Sequence, residues 1–175
     1  GGFHVATNHN DVLHRLFASG VYAKGPVSPS YAPSMDIQVA SNFERFLYYF
    51  LDCDPIQVRN VMETFSQTGA YSFKDFHNHG FTSSRSSDDD IASIIRSVSS
   101  RHGYLVDPHT ACGLRNLEGL LPCVVLSTAH PAKFAEVIRE AIGAEPKAPS
   151  LEELKEHPIV NYPLVPSKEA IQDFI

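Results

Sequence analysis

The chain has 175 residues, of which 43% are hydrophobic and 19% charged, a composition typical of a folded globular protein rather than a disordered one. The formal net charge of −6, without any cluster of Lys or Arg, argues against nucleic acid or an anionic membrane as a partner, and no apolar stretch is long enough to span a bilayer. The three cysteines lie singly among apolar residues, which favours free thiols in an intracellular setting and a role as small core residues: Cys53, Cys112 and Cys123.

The first predicted element is a strand over residues 3–6, which begins almost at the first residue of the chain. A natural protein seldom begins inside its own sheet, so we expect the chain to be part of a longer protein. A helix should follow, capped by Asn8 or Asn10 and ended by Gly20. Residues 20–35 are rich in Gly, Pro and Ser and are predicted to form a long loop without regular structure.

Three helices are predicted in the middle of the chain. The first should begin at a capping box formed by Ser41 and Glu44. The second should be capped by Asp54, with Pro55 in its first turn and Gly69 at its end. The third should cover residues 88–102, because its acidic start suits the helix dipole and its isoleucines share one face.

Two strand-then-helix units are predicted in the last third. In "GYLVDPHTACG", residues 104–106 should be extended, Asp107 should cap a helix, and Gly119 should end it. In "PCVVLSTAHPAKF", residues 122–126 are predicted to form a short buried strand, with a helix from Pro131 to about Gly143.

The polar residues between that strand and that helix have two possible roles. Ser127, Thr128 and His130 would lie at the carboxyl end of a strand, where ligands bind in open α/β sheets. Alternatively, one of them merely caps the helix.

The pattern as a whole predicts an α/β fold, a partial open sheet with few strands and many helices. Residues 1–143 are predicted to form the main body, part of a larger domain. Residues 144–175, which hold several prolines, should form a carboxyl-terminal arm.

A metal site is the weakest of the functional hypotheses. His77 and His79 form an H-x-H pair close to Asp75, which would suit zinc in a hydrolase. Since no second cluster supplies the remaining ligands, we predict a solvated loop and no metal.

Four segments, in this order, resemble the carboxyl-terminal half of threonine synthases: "VATNHNDVLHR", "PSMDIQVASNFERFL", "GYLVDPHTACG" and "VVLSTAHPAKF". That family is pyridoxal-phosphate dependent, has the tryptophan-synthase-like fold type II, and converts O-phospho-L-homoserine and water to L-threonine and phosphate. The resemblance implies that this chain is the carboxyl-terminal part of such an enzyme.

The resemblance also implies a role for the hydroxyl pair. In fold-type-II enzymes a Ser or Thr hydroxyl at a strand end faces the pyridine nitrogen of the cofactor; Thr128 matches that position, and Ser127 is the nearest substitute. A hydroxyl can donate to a neutral ring nitrogen, which tunes how strongly the ring withdraws electrons. The resemblance also places the segment "DPHTACG" near the ring, with His109 and Thr110 as weaker candidates.

No catalytic residue is expected in the chain. The Schiff-base lysine and the phosphate-binding loop of the family lie upstream of the matched region, and none of the six lysines here has an apolar strand-end context that would lower its pKa. This chain alone is therefore expected to be inactive, and its partner would be the amino-terminal half of the same protein.

Substrate contacts are less well defined. Asn42 and Arg45 remain after the capping box is assigned, and Arg45 could hold a substrate phosphate, although a surface salt bridge explains it as well. The alternative function is a stand-alone, catalytically dead interaction module. We expect a cytoplasmic location and self-association through exposed strand edges.

Overall fold

The computed structural model describes residues 2–74, 76–78, 80–117 and 122–175. In chain order the helices and strands are β1 (Phe3–Thr7), α1 (Val12–Ser19), β2 (Val21–Ala23), α2 (Phe43–Phe50), α3 (Pro55–Thr68), β3 (Ala70–Ser72), β4 (Phe81–Arg85), α4 (Asp88–His102), α5 (Pro108–Gly113), α6 (Ala135–Ile142), α7 (Pro149–Leu154) and α8 (Lys168–Phe174). Short 3₁₀ helices cover Pro33–Met35 and Pro131–Phe134. None of these helices, within the described ranges, is long and apolar enough to cross a membrane.

The strands form two separate pairs. β1 lies parallel to β4, with Phe3 opposite Phe81 and Thr7 opposite Arg85. β2 and β3 pair antiparallel. This arrangement confirms the predicted α/β class with few strands and many helices.

Two apolar clusters form the core. One gathers α1, α2 and α3 around the ring of Tyr22, which stacks on Phe65 with 4.0 Å between ring centroids. The other gathers α4, α5 and α6 around Ile91, Ile95 and Ile138. Each helix directs one apolar face into its cluster, as amphipathic helices do.

Most helix boundaries agree with the sequence predictions. α3 starts at Pro55, where the Asp54 carboxylate accepts hydrogen bonds from two backbone N–H groups, and α4 covers residues 88–102. Gly20, Gly69 and Gly143 end their helices in the left-handed conformation that glycine adopts without strain.

Two capping predictions were wrong. The N-cap position of α1 is Asp11, whose side chain makes no capping hydrogen bond, and the side chains of Asn8 and Asn10 are used in hydrogen bonds to the following loop. α2 begins at Phe43 with Asn42 as the capping position, so the Ser41 and Glu44 capping box does not form. A capping box does form at α4, between Ser87 and Asp90.

Regular structure also occurs where none was predicted. β2 and a 3₁₀ turn lie within residues 20–35, and β4 has too polar a sequence to read as a strand. The helix beginning at Pro108 ends at Gly113 rather than at Gly119, which lies outside the described residues. In the arm after residue 143, α7 and α8 form short helices with no buried residues.

The prediction of a buried strand over residues 122–126 was wrong. These residues form neither helix nor strand, and Val124 and Leu126 are 90% and 75% exposed. Within the described part of the chain no strand pairs with them. An apolar, β-branched segment becomes a buried strand only when a neighbour supplies hydrogen bonds and covers its faces.

The three cysteines are free thiols, as predicted. Only Cys112 is a core residue; Cys53 and Cys123 are exposed, which contradicts their expected burial. Burial raises the pKa of the Cys112 thiol to about 11, so this thiol stays protonated at neutral pH.

Candidate functional site

A cavity of about 730 Å³ is lined by residues of β1 and by the segment of residues 122–128, which forms neither helix nor strand. Its lining is mostly apolar and runs along both: Gly2, Phe3, His4, Ala6, Met35, Gly80, Thr82, His109, Gly113, Leu117, Pro122, Cys123, Val124, Val125, Leu126 and Thr128. A large, mostly apolar cavity with a few polar groups is the usual form of a ligand site.

The two predicted cofactor residues face different cavities. Thr128 lines the larger cavity, whereas Ser127 lines a smaller one of about 230 Å³ beside His130 and Lys147. The Thr128 hydroxyl makes no hydrogen bond within the described part of the chain, while its backbone N–H donates to Thr110 Oγ1 over 3.4 Å. The free hydroxyl is therefore held near the cavity by its own backbone.

Thr110 belongs to a buried network centred on Asp107. One carboxylate oxygen of Asp107 accepts from the Thr110 hydroxyl, and the other accepts from the backbone N–H and from Nδ1 of His109, both over 2.9 Å. Asp107 is only 1% exposed. Burial raises the pKa of its carboxyl, but the hydrogen bonds from His109 and Thr110 together lower that pKa by more than burial raises it. The pKa of Asp107 therefore lies below its usual value.

The hydrogen bonds also determine the tautomer of His109. Its Nδ1 must donate to the carboxylate, because its Nε2 accepts from the backbone N–H of Ser34 over 3.1 Å. The ring is buried and packs on Phe134, with 4.8 Å between ring centroids. His109 therefore joins α5 to the loop before α2, and His109 itself lines the larger cavity.

That loop is fixed by a second polar network. The carboxylate of Asp36 accepts from the side-chain amides of Asn8 and Asn10 and from the backbone N–H and hydroxyl of Ser30. These bonds tie the loop to the carboxyl end of β1, so the loop is held in place despite its lack of long elements.

His4 is a lining residue that the sequence analysis did not single out. Its Nδ1 and Nε2 each lie 2.8 Å from a hydroxyl, of Thr82 and Ser84 respectively. The pKa of His4 lies below its usual value because partial burial, and then the charge of nearby His14, disfavour the protonated form. No local signal identified His4, since its hydroxyl partners lie about 80 residues later in β4.

The candidate substrate residues are brought together, but not at this cavity. The Arg45 guanidinium donates to the side-chain oxygen of Asn42 at the start of α2, and both side chains are exposed. Neither residue lines either cavity described above.

No lysine lines the larger cavity among the described residues. Lys133 is exposed in the first turn after His130, whose side chain accepts from the backbone N–H of Ala132. His130 is therefore the capping residue of that turn, and Ser127 and Thr128 are not.

Two residues of the H-x-H hypothesis, Asp75 and His79, lie outside the described residues. Among the residues that are described, no group of three or more His, Cys, Asp or Glu side chains is arranged to hold a metal ion.

Comparison with known proteins gives consistent matches. Residues 110–175 match the family described as "Threonine synthase, C-terminal". The chain is 41% identical over 160 residues to threonine synthase of Corynebacterium glutamicum, a match that covers 83% of this chain and 33% of that protein. The match to threonine synthase of Saccharomyces cerevisiae is 34% identical over 165 residues and covers 79% of this chain and 32% of that protein.

The fold is similar to solved structures with the same name. It matches the pyridoxal-phosphate-bound threonine synthase of Brucella melitensis with a TM-score of 0.80 and 39% identity, covering 86% of this chain and 34% of that one. It matches yeast threonine synthase with a TM-score of 0.73 and 29% identity, covering 89% and 36%. The chain thus spans about a third of the length of the relatives it matches.

Proposed function

We propose that this chain forms the carboxyl-terminal part of a threonine synthase. It belongs to the threonine synthase family and spans about a third of the length of the relatives it matches. The complete enzyme would convert O-phospho-L-homoserine and water to L-threonine and phosphate, as a pyridoxal-phosphate-dependent lyase of fold type II. The observation that carries this proposal is the TM-score of 0.80 with a threonine synthase that binds pyridoxal phosphate.

The cofactor contact that we propose is the Thr128 hydroxyl, facing the pyridine nitrogen. Thr128 lines the larger cavity, its hydroxyl makes no hydrogen bond within the described residues, and its backbone is anchored by Thr110. Pyridoxal phosphate, when bound, supplies an electron-withdrawing ring that stabilises negative charge on the substrate carbon. A neutral hydroxyl donor would moderate that withdrawal, because it does not hold the ring nitrogen protonated as a carboxylate would.

The residues of this chain fit one edge of the cofactor only. Since no lysine lines the larger cavity in the described residues, the Schiff-base lysine and the phosphate loop would come from the amino-terminal part. We therefore expect the chain alone to be inactive. Ser127 stays a second candidate for the ring contact, but it lines the other cavity, which favours Thr128.

Asn42 and Arg45 are our proposed substrate residues. The amide oxygen of Asn42 orients the guanidinium, and a guanidinium held in this way can present its remaining N–H groups to a phosphate as a fork. Because neither residue lines the larger cavity, such a contact requires a substrate that extends from the cofactor towards the start of α2.

We also propose the division of the chain into a main body, residues 1–143, and an arm, residues 144–175. The main body would belong to the cofactor-binding domain of the enzyme, in the cytoplasm, and the amino-terminal half would be its partner. The alternative, a catalytically dead interaction module, has no support in these comparisons, which match threonine synthases over 83–88% of this chain.

The proposal is tested by reconstitution. The chain would be expressed together with the amino-terminal two thirds of the C. glutamicum enzyme, and phosphate release from O-phospho-L-homoserine would be measured. We expect release from the mixture only. Borohydride reduction should then attach the cofactor to the added part; attachment to this chain, at Lys133 for instance, would contradict the proposal.

Variants of the hydroxyl pair test the residue assignment in the same mixture. Thr128→Ala should shift the visible absorbance of the bound cofactor and lower turnover about tenfold, which corresponds to about 1.4 kcal/mol. Thr128→Ser should retain most of both, because it keeps the hydroxyl. Ser127→Ala is the matched control and should behave as wild type; an equal loss in this control would overturn the assignment to Thr128.

A further inference from the structure

A path of hydrogen bonds connects the proposed cofactor contact with the loop that precedes α2. At one end, the backbone N–H of Thr128 donates to Thr110, whose hydroxyl donates to Asp107. Asp107 accepts from Nδ1 of His109 over 2.9 Å, and Nε2 of His109 accepts from the backbone N–H of Ser34 over 3.1 Å. The three middle residues of this path are each at most 5% exposed. Because water competes little for buried bonds, the path holds its two ends at a fixed separation.

The turn that contains Ser34 contributes to both proposed sites. Ser34 lies in the 3₁₀ turn Pro33–Met35, and its neighbour Met35 lines the larger cavity. The same loop leads directly to Asn42 and Arg45, the proposed substrate residues at the start of α2. A shift of Ser34 would therefore move one wall of the cavity and the segment that carries the substrate residues at the same time.

The polar attachment of this turn to α5 depends on His109. Within the described part of the chain, the bond from Ser34 to His109 is the single hydrogen bond between α5 and residues 24–39. The rest of the loop is bound elsewhere, since Asp36 binds side chains that follow β1 and Tyr31 binds carboxylates of α4 and α6. His109 is thus the residue that places the turn relative to Thr128 rather than relative to β1.

The hydrogen bonds of His109 leave its ring with no further polar contact to make. Nε2 accepts and Nδ1 donates, which is the full hydrogen-bonding capacity of a neutral imidazole. The ring lines the larger cavity and packs on Phe134, but both of its nitrogens are already bonded within the protein. Any polar effect of this ring on a bound cofactor or substrate is therefore exerted through Ser34 and Asp107.

We propose that His109 is a positioning residue of the enzyme. By binding Ser34 with one nitrogen and Asp107 with the other, it places the substrate-side loop relative to the cofactor contact at Thr128. The inference rests on the proposed function, because it assumes a cofactor at Thr128 and a substrate that reaches the loop. A misplacement of about 1 Å can cost an enzyme about 100-fold in rate, so loss of the bond to Ser34 should be measurable in the kinetics.

Two substitutions separate the two ends of the ring. In His109→Gln the side-chain oxygen can take the place of Nε2, the same number of bonds from Cβ, so the acceptor for Ser34 is kept and the donor to Asp107 is lost. In His109→Asn the amide nitrogen can take the place of Nδ1, so the donor to Asp107 is kept and the acceptor for Ser34 is lost. Each variant loses one buried hydrogen bond, and we expect both to lower the free energy of unfolding by similar amounts. A difference between them in activity then reports placement rather than stability.

Activity is measured in the mixture with the amino-terminal two thirds of the C. glutamicum enzyme. His109→Asn should raise KM for O-phospho-L-homoserine about tenfold and change kcat less than about threefold, with the cofactor absorbance of wild type, because the path from Asp107 to Thr128 stays intact. His109→Gln should keep KM within about threefold of wild type. His102→Asn, at an exposed histidine in the last turn of α4, is the control and should leave KM, kcat and absorbance unchanged. Equal KM values in the two His109 variants, or a shifted absorbance in His109→Asn, would overturn the proposal.

Amide hydrogen exchange of this chain alone tests the same contact without the mixture. The Ser34 N–H should exchange at least about tenfold faster in His109→Asn than in His109→Gln, while the N–H of Ser30, which donates to Asp36, should be unchanged in both. Equal exchange of Ser34 in the two variants would overturn the proposal even if the two parts of the enzyme fail to associate. In wild type Ser34 should exchange about as slowly as Ser30, and unprotected exchange of Ser34 would overturn the proposal whether or not the variants fold.

The two measurements also separate this proposal from the proposed function. A wild-type mixture that releases no phosphate would count against the proposed function, whereas the exchange difference at Ser34 would still support its placement by His109. Phosphate release from the wild-type mixture with equal KM values in both variants would overturn the role of His109 and leave the proposed function intact.

Discussion

β1 and the segment of residues 122–126 are both five residues long and rich in apolar residues, and each precedes a helix, but they differ in structure. β1 pairs with β4 along its whole length and packs against α1, whereas residues 122–126 have no strand partner within the described chain and expose Val124 and Leu126.

The difference shows that a segment with strand propensity forms a strand only when another strand pairs with it. A segment with strand propensity still has to satisfy its backbone N–H and C=O groups and cover its side chains. β4 does this for β1, although its own sequence, Phe81–Arg85, is mostly polar. Residues 122–128 are instead positioned by side-chain contacts with α5.

The largest effect is expected at Asp107, which anchors the unpaired segment to the packed half of the molecule. Asp107→Ala should lower the free energy of unfolding by about 3–5 kcal/mol, because it removes the cap of α5 and leaves buried donors of His109 and Thr110 unsatisfied. Asp54→Ala removes an Asp-Pro cap of α3 that lies closer to solvent and should lower the free energy of unfolding clearly less. Equal losses in urea unfolding of the two variants would contradict the role of the buried network.

Acid should weaken the same anchor. Since the pKa of Asp107 is lowered in the folded state, its contribution to stability is complete above the unfolded value of about 3.9 and is lost as the pH falls through the folded pKa. The difference in unfolding free energy between wild type and Asp107→Asn should therefore shrink below about pH 4. A difference that is constant from pH 7 to pH 3 would contradict the lowered pKa.

A matched pair of leucines compares the covered and the uncovered segment directly. Leu16 is fully buried where α1 packs beside β4, so Leu16→Ala should lower the free energy of unfolding by about 3 kcal/mol. Leu126→Ala should change the unfolding free energy by less than about 0.5 kcal/mol, since the side chain is 75% exposed. A loss of more than about 1 kcal/mol in Leu126→Ala would mean that the segment is already covered in solution.

A smaller effect is expected for the hydroxyl that bridges Asp107 and Thr128. Thr110→Val should cost about 1–2 kcal/mol, because it removes a donor to a buried carboxylate and the acceptor of the Thr128 N–H. Exchange of the Thr128 amide should become faster. Thr64→Val, which removes an exposed hydroxyl bonded within α3, is the control and should be close to neutral.

The smallest effect is expected at His130, the cap that follows the unpaired segment. His130→Ala should lower the unfolding free energy by about 0.5–1 kcal/mol, through loss of the acceptor for the Ala132 N–H. His130→Asn should recover most of this, because it restores a capping acceptor. If His130→Ala leaves the unfolding free energy unchanged, the turn at Pro131 is determined by proline alone.

Sequence reasoning worked best where the deciding contacts are local. The Asp-Pro caps of α3 and α5, the bounds of α4 and the glycine stops of three helices all depend on residues within a few positions of one another. It was wrong where a distant contact prevailed: Asn8 and Asn10 bind the loop at Asp36 instead of capping α1. The four motifs were also sufficient for the family, which the comparisons confirm.

By itself, then, the sequence determined the helices of the main body, the helix ends that depend on Asp-Pro caps and glycine stops, the α/β class and the family, because these follow from local hydrogen bonding and from residue patterns in fixed order. Only the tertiary structure decided which apolar segments became strands, since β1 and β4 lie nearly 80 residues apart and no local pattern encodes their pairing. It alone also connected Thr128 through Thr110 and Asp107 to His109 and Ser34, a chain of contacts across three separate segments. Such contacts form only when the core brings distant residues together.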